Sequence, residues 1–391
     1  MRTSRVAGIA AFCVLIEVSP AAAQSVSDVL TFLLTNQSVQ TGSVERDRSA
    51  AQATSDTFSR ALLANLATLP VPTSPGAFAL RLNPELGTVE RVTQTFGPSF
   101  VERAQTTGRG QASFSLSFQH LRFDALDGRD LRDGSFVTTA NQFADEQVPF
   151  DVDRLTLNVD ASIATLSGSV GVTDRMEVAF AAPFVSLRMD GTRVNTYRGR
   201  AFTQATASGH AVGLADLVVR TKYKLAGESG SGAAAAVDLR LPTGRQENLL
   251  GEGSASLKLS AIGSREAGRL STHGNGGVTV GGLARELSYS GAVAVAAAPR
   301  LTLVGELIGR WIDSPGHIVP VAAAHPTIPG VQTIRLAPDA TSLHILTLVP
   351  GFKWNLTDTF VLSGNLSIPL TTAGLTARFA PFIGLDYVLG P

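Results

Sequence analysis

The chain has 391 residues, 44% hydrophobic and only 16% charged, where soluble proteins carry about 25% charged residues. Lys plus Arg and Asp plus Glu balance at 32 each, so no basic surplus favours a nucleic-acid partner. The charge deficit suits a surface that faces lipid.

Residues 1–23 read as a cleavable signal peptide. Arg2 and Arg5 form a positive start, Val6 to Ile16 is an apolar stretch too short to span a bilayer, and Ala21-Ala22-Ala23 places cleavage before Gln24. The single cysteine, Cys13, lies in this leader, so the mature chain has no thiol, disulfide or Cys-based metal site. No later run of about 18 apolar residues appears, which excludes a helical membrane protein.

Residues 24–108 have a texture of their own. The spacing predicts a short helix over 27–34, with Ser27 as cap and Asp28 in the first turn. A second helix is expected over 46–69, where Phe58, Leu62, Leu66 and Leu69 recur at helical spacing and Pro70 stops the pattern. Pro72, Pro75 and Pro84 then keep the chain irregular. This partly helical segment either lies against a barrel on its periplasmic side or reaches into the lumen as a plug, and the sequence leaves both open.

From 109 to 391 the chain alternates with the period of two that marks β-strands. Phe114, Leu116 and Phe118 interleave with Ser113, Ser115 and Ser117; Phe360, Leu362, Leu366 and Ile368 oppose Ser363, Asn365 and Ser367. About twelve segments show this pattern: 110–124, 152–172, 176–189, 213–226, 232–243, 253–264, 269–281, 288–298, 301–313, 341–356, 358–369 and 376–388. The second slips phase between Ile163 and Leu166, which suggests a bulge. Short turns at 173–175, 227–231, 265–268, 299–300 and 356–357 alternate with longer loops near 125–151, 190–212, 244–252, 282–287, 314–340 and 370–375. Outer-membrane barrels sort their connections this way, with short turns in the periplasm and long loops outside. The expected fold is all-β: an antiparallel transmembrane β-barrel of about 12 strands, its more polar face built from Ser, Ala, Gly and Asn with scattered charges. A soluble sandwich or barrel would turn abundant Lys and Glu outward instead. Trp311, Trp354, Tyr289 and Tyr387 sit near strand ends, where interfacial aromatics belong.

Three stretches carry a family resemblance: Val172 to Pro183 (VTDRMEVAFAAP), Gly213 to Leu225 (GLADLVVRTKYKL), and Leu239 to Gly244 (LRLPTG) followed by Leu250 to Ser254 (LGEGS). Together and in order they resemble the outer-membrane family of the meta-pathway of phenol degradation, over roughly residues 150–391. The resemblance implies a barrel that passes small, often aromatic or hydrophobic, molecules. It brings no catalytic residue. The chain ends Val388-Leu389-Gly390-Pro391, without the terminal aromatic usual in such barrels.

The residues themselves offer little catalysis. His273 points to the lumen beside Ser271 and Asn275, His120 and His344 fall in strands, and His210, His317 and His325 in loops. No pair has metal-ligand spacing, and no Gly-x-Ser-x-Gly elbow occurs. Asp124, Asp127, Asp130 and Asp133 recur at intervals of three, but Arg129 and Arg132 interleave with them and neutralise the loop. No cofactor and no metal are expected. The charges predicted to line a pore are Asp216, Arg220, Lys222, Lys224, Asp238, Arg240, Lys258, Glu306, Arg310, Arg378 and Asp386, together with His273. They either pair to fill a narrow lumen or set the selectivity of a water-filled one. The expected partners are the lipid bilayer, small-molecule solutes and the barrel-assembly machinery, with no nucleic acid. Three functions fit this pattern: a porin-like channel or transporter, a non-conducting barrel that binds a partner, and a lipid-modifying barrel enzyme motivated by His273 and His344.

Overall fold

The computed structural model describes residues 25–34, 56, 58–64, 66, 80–83, 88–91, 93–227, 230–313, 316–325, 327–357 and 359–389. The expected leader 1–23 and residues 46–55, 57, 65 and 67–69 of the second expected helix lie outside these.

Twelve antiparallel strands close into a barrel. They are β1 (Ala112–Leu126), β2 (Asp151–Gly171), β3 (Met176–Tyr197), β4 (Leu217–Ala226), β5 (Gly232–Leu241) and β6 (Ser256–Ala267). The second half is β7 (Leu270–Gly281), β8 (Glu286–Ala298), β9 (Leu301–Ile312), β10 (Leu343–Thr357), β11 (Phe360–Pro369) and β12 (Ala380–Leu389). The seam joins last strand to first, with Leu385 opposite Leu116 and Leu389 opposite Ala112. The short turns gather at the end that carries both ends of the barrel chain, the periplasmic end in barrels of this type.

Around most of the wall the expected alternation holds. Phe114, Leu116 and Phe118 are exposed while Ser113, Ser115 and Ser117 are buried, so the apolar face looks outward to lipid. Higher on the same strand the chemistry inverts without a break in register. Leu121 and Phe123 turn inward and are buried, and Arg122 looks out. On β2 the inward residues change from Thr165, Ser167 and Ser169 to Ile163, Ala161, Val159, Leu157 and Leu155. On β3 they change from Ala179 and Ala181 to Val185, Leu187 and Met189. The change falls at one height, because Gln119 pairs with Ile163 and Ile163 with Val185. This corrects the expected bulge between Ile163 and Leu166. β2 pairs with β3 through 21 consecutive residues, and the phase slip marks the outer edge of the lipid-facing belt. Below that edge apolar side chains face lipid; above it water surrounds the strand and they turn in.

The same inversion explains a second correction. The expected loop at 190–212 is strand: β3 continues to Tyr197, Arg198 and Gly199 turn at φ 46° and 82°, and Arg200–Leu214 returns along β3. The expected loops at 125–151 and 314–340 also contain strand. Phe136–Phe143 pairs with β2, and the hairpin Ile318–Ala324/Val331–Pro338 lies beside it. The β-sheet therefore rises well above the lipid belt on one side.

Helix α1 (Val26–Leu34) lies inside this raised part. Its cap is Ser25 rather than Ser27: Ser25 Oγ accepts from Asp28 N at 3.0 Å, and Asp28 Oδ2 accepts from Ser25 N at 3.2 Å, a reciprocal capping box. Val26, Val29, Leu30 and Leu33 are buried with Leu155, Leu157, Leu187 and Met189 in one apolar core. Phe58, Ala61, Leu62 and Leu63 of the second helical segment join the same core, and Phe58 meets Phe136 edge-on at 5.8 Å. A Cβ on Gly191 would collide with Leu33, so the strand stays bare where the helix seats.

Candidate functional site

The barrel's inner face builds the site. Below the apolar core the inward positions are small and hydroxylic or charged, a surface that needs polar partners. Residues 93–110 supply many of them. This irregular stretch runs inside the barrel, and Phe96, Val101 and Ala104 are almost fully buried.

Glu306 on β9 is the main anchor. One carboxylate oxygen accepts from Ser99 N, the other from Phe100 N and Val101 N, each at 2.8 Å. Three successive backbone N–H groups thus converge on one buried carboxylate, the arrangement that binds anions at backbone nests. Further along, Phe96 N donates to Thr302 Oγ1 at 3.2 Å, Ala104 N to Ser264 Oγ at 2.9 Å, and Thr107 N to Glu177 at 2.7 Å. Asn365 Nδ2 donates to Ser99 Oγ at 2.9 Å. Glu102 pairs with Arg220 and, at 3.1 Å, with Lys222, which lies 3.4 Å from Glu177. Apolar contacts complete the fit: Phe96 with Val361 and Val388, Ala104 with Ala234, Ala236 and Ile262.

Most of the charges expected to line a pore face inward. Asp238 stands opposite Arg220 in register and holds it through both oxygens, at 2.6 and 2.7 Å. Arg310 binds Glu286 at 2.6 Å and Asp386 lies 3.6 Å from Lys353. Lys224 sits at the periplasmic end of β4, its backbone N donating to Arg175 O. Asp216 does a different job. It sits buried at the break before β4, accepts from Gly244 N at 3.0 Å and Glu252 N at 2.8 Å, and so clamps the β5–β6 connection. In that connection Glu252 reaches Arg240 at 3.4 Å; burial pushes its carboxyl above the usual range despite the Arg240 charge. Arg378 is the exception among the predicted residues. It is exposed just before β12, with its backbone N donating to Asp124, because the chain leaves the barrel wall there.

Glu177, Glu286 and Lys353 were missed, although each lies on the inward phase of its strand. Glu102 carried no signal, since nothing periodic marks residues 93–110. His273 rests between Ser264 Oγ at 2.9 Å and Ser271 Oγ at 3.2 Å, beneath the inserted segment. His344, on the outer face, meets Tyr289 Oη at 2.6 Å. His210, expected in a loop, lies in the returning strand. Of the aspartate run, Asp127 ties three connections together, accepting from His317, Ile318 N and Gly374 N at 2.7–2.8 Å. Among the described residues no cluster of three or more His, Cys, Asp or Glu could hold a metal ion. Tyr289 and Trp311 stand on the outer face toward the extracellular end; Trp354 and Tyr387 lie toward the periplasmic turns.

A cavity of about 160 Å³ remains between the inserted segment and strands β4 to β9. Phe100, Ile262 and Ile308 give it apolar wall, and Arg220, Lys258 and Arg310 bring charge to it.

Residues 140–305 match the family described as "Putative MetA-pathway of phenol degradation". All three stretches on which the sequence resemblance rests fall inside that match. No curated protein matches the chain in sequence. Among solved structures it is similar to an outer membrane channel from Pseudomonas putida F1, with 17% identity, 73% of this chain and 98% of that one covered, and a TM-score of 0.44. It is also similar to the CymD monoaromatic hydrocarbon channel (8% identity, 72% and 90% covered, TM-score 0.28). A third is the outer membrane protease OmpT from Escherichia coli (9% identity, 71% and 97% covered, TM-score 0.28).

Proposed function

We propose that the protein is an outer-membrane passage for small solutes, hydrophobic or aromatic ones among them, kept shut by its own residues 24–108 and exported through the cleavable leader 1–23. The observation that carries this reading is the lumen itself. A charged inner wall runs the height of the lipid belt, and one irregular stretch, 93–110, sits in it through hydrogen bonds to side chains rather than as a strand of the wall. Such a contact set can be released without breaking the barrel ladder. The family match supports passage of small molecules as the purpose. The bilayer and the assembly machinery are its partners in this reading, and it needs no cofactor.

The test is conductance and liposome uptake by the refolded mature protein, with and without residues 24–108. Conductance that grows on truncation is expected. Silence and no uptake in both forms would refute the passage and favour a non-conducting barrel that presents its outer connections to a partner, a reading motivated by how fully the inserted segment fills the lumen. We read the chain as non-catalytic, because the His273–serine contacts lie inside the lumen under Ala104, away from lipid. Loss of lipid turnover in His273→Ala or His344→Ala protein would overturn that.

A further inference from the structure

Above the lipid edge, the outer face of the raised sheet is a second surface, one that passage through the lumen does not use. Across β1, β2, β3 and the returning strand Arg200–Leu214 its outward side chains stand in register, in rows about 7 Å apart along the strands. Phe118, Ala164, Phe184 and Leu214 form the last apolar row. In the next, His120 Nδ1 lies 3.0 Å from Ser162 Oγ, and Ser186 Oγ reaches up to His210 at 3.1 Å. His210 ends the row above, which runs Arg122, Asp160, Arg188, His210. Two shallow grooves climb from this row and meet at Asp190 and Ser208, and Thr156, Thr192 and Thr206 close the upper one.

The fixed charges of these rows balance, Arg122 and Arg188 against Asp160 and Asp190, so nothing here calls for an ion. What the face presents is donors and acceptors side by side: guanidinium, carboxylate, imidazole and hydroxyl. A ligand whose every group both donates and accepts matches that mixture, as a sugar does. Arg188 donates through Nε to Asp190 at 2.9 Å, yet its side chain is 69% exposed and open to a ligand. The rows also begin where the lipid-facing belt ends, at the height of the headgroups on the extracellular side.

We propose that this face seats the sugar headgroup of an outer-leaflet glycolipid, whose acyl chains lie against the Phe118–Leu214 row while Asp160 and Arg188 bind neighbouring hydroxyls. Its acyl chains hold the headgroup beside the wall, so bonds that are weak in free solution suffice. The inference rests on the outer-membrane setting of the barrel and not on passage of a solute.

Immobilised, detergent-solubilised mature protein tests it with fluorescent lipopolysaccharide that carries its complete core and with lipid A alone. The complete glycolipid should bind at least about tenfold more tightly, the worth of one charge-assisted hydrogen bond. Core oligosaccharide stripped of acyl chains and phosphate should displace it when added in large excess. Asp160→Ala/Arg188→Ala protein should hold the two lipids alike, with heat-shifted gel migration showing that the barrel is folded. Equal binding by the parent, or a preference that survives in the double variant, overturns the site. So does failure of the stripped oligosaccharide to compete, which would make phosphate the bound group. A barrel that keeps the preference but shows neither conductance nor uptake upholds this site and refutes the passage.

Discussion

Replacing Glu306 with Ala should set the inserted segment free. The carboxylate accepts three backbone N–H bonds of 2.8 Å and is 1% exposed. Bonds to a charged acceptor contribute about 1.5–3 kcal/mol each, which gives about 4.5–9 kcal/mol for three. Two effects reduce this. Water entering the vacated space satisfies part of the N–H groups, and the variant no longer buries a charge. Together they bring the net effect down to about 3 kcal/mol, or on the order of 100-fold in the population of the released segment. Trypsin reads this directly. Arg103 lies in the held stretch, inside a barrel too narrow for a protease, so cleavage there requires the segment to leave the lumen. Rapid cleavage after Arg103 in Glu306→Ala protein, with a higher open fraction in bilayers, is expected. Full protection and unchanged conductance in a folded variant would refute the idea that Glu306 holds the segment.

Three further outcomes follow from the geometry. Leu116→Arg and His120→Arg place the same charge on the same face of β1, but on opposite sides of the polarity change. The first should lose about 2–4 kcal/mol of unfolding free energy in lipid vesicles and the second almost none; equal losses would remove the proposed lipid boundary. Gly191→Val should unseat α1 by colliding with Leu33, so a thiol reagent should reach a Leu30→Cys probe in that background and not in the parent. Asp127→Ala removes the acceptor for His317, Ile318 and Gly374, and protease should then cut within 314–340 several-fold faster while the barrel's resistance to heat is kept.

Strand number, the order of short turns and long crossings, and the outward apolar face of the lipid belt were legible, because period-two alternation and turn composition are local. What alternation cannot reveal is which side is wet. Leu155 to Ile163 and Leu166 to Val170 obey the same period, yet face opposite ways, and the sequence offers a phase slip in place of an environment. The stretch 190–200 reads as a loop for the same reason: Asp190 and Thr192 point outward, whereas Arg193 and Asn195 turn inward and are buried, Asn195 bonded to Asp151 and Asp153. Of the site, most inward charges on strands were found by phase, with Glu177, Glu286 and Lys353 passed over. Their partners on residues 93–110 were out of reach, since Glu102 meets Arg220 across 118 positions and nothing periodic announces it.

The position of the inserted segment also constrains how the protein reaches its final form. Ser99 touches Asn365 across 266 positions, and Phe100 touches Glu306 across 206. Contacts so distant along the chain form late and slowly, and these need β9 and β11 already in place. Yet β1 begins only a few residues after the segment, and β1 is half of the closing seam. The first part of the mature chain must therefore wait within reach of the nascent ring, or be drawn in from its periplasmic opening after the last strand has paired. In either case its arrival is a separate kinetic event from zipping the wall, and a slow second phase, visible as the delayed shielding of Arg103, is the trace it should leave.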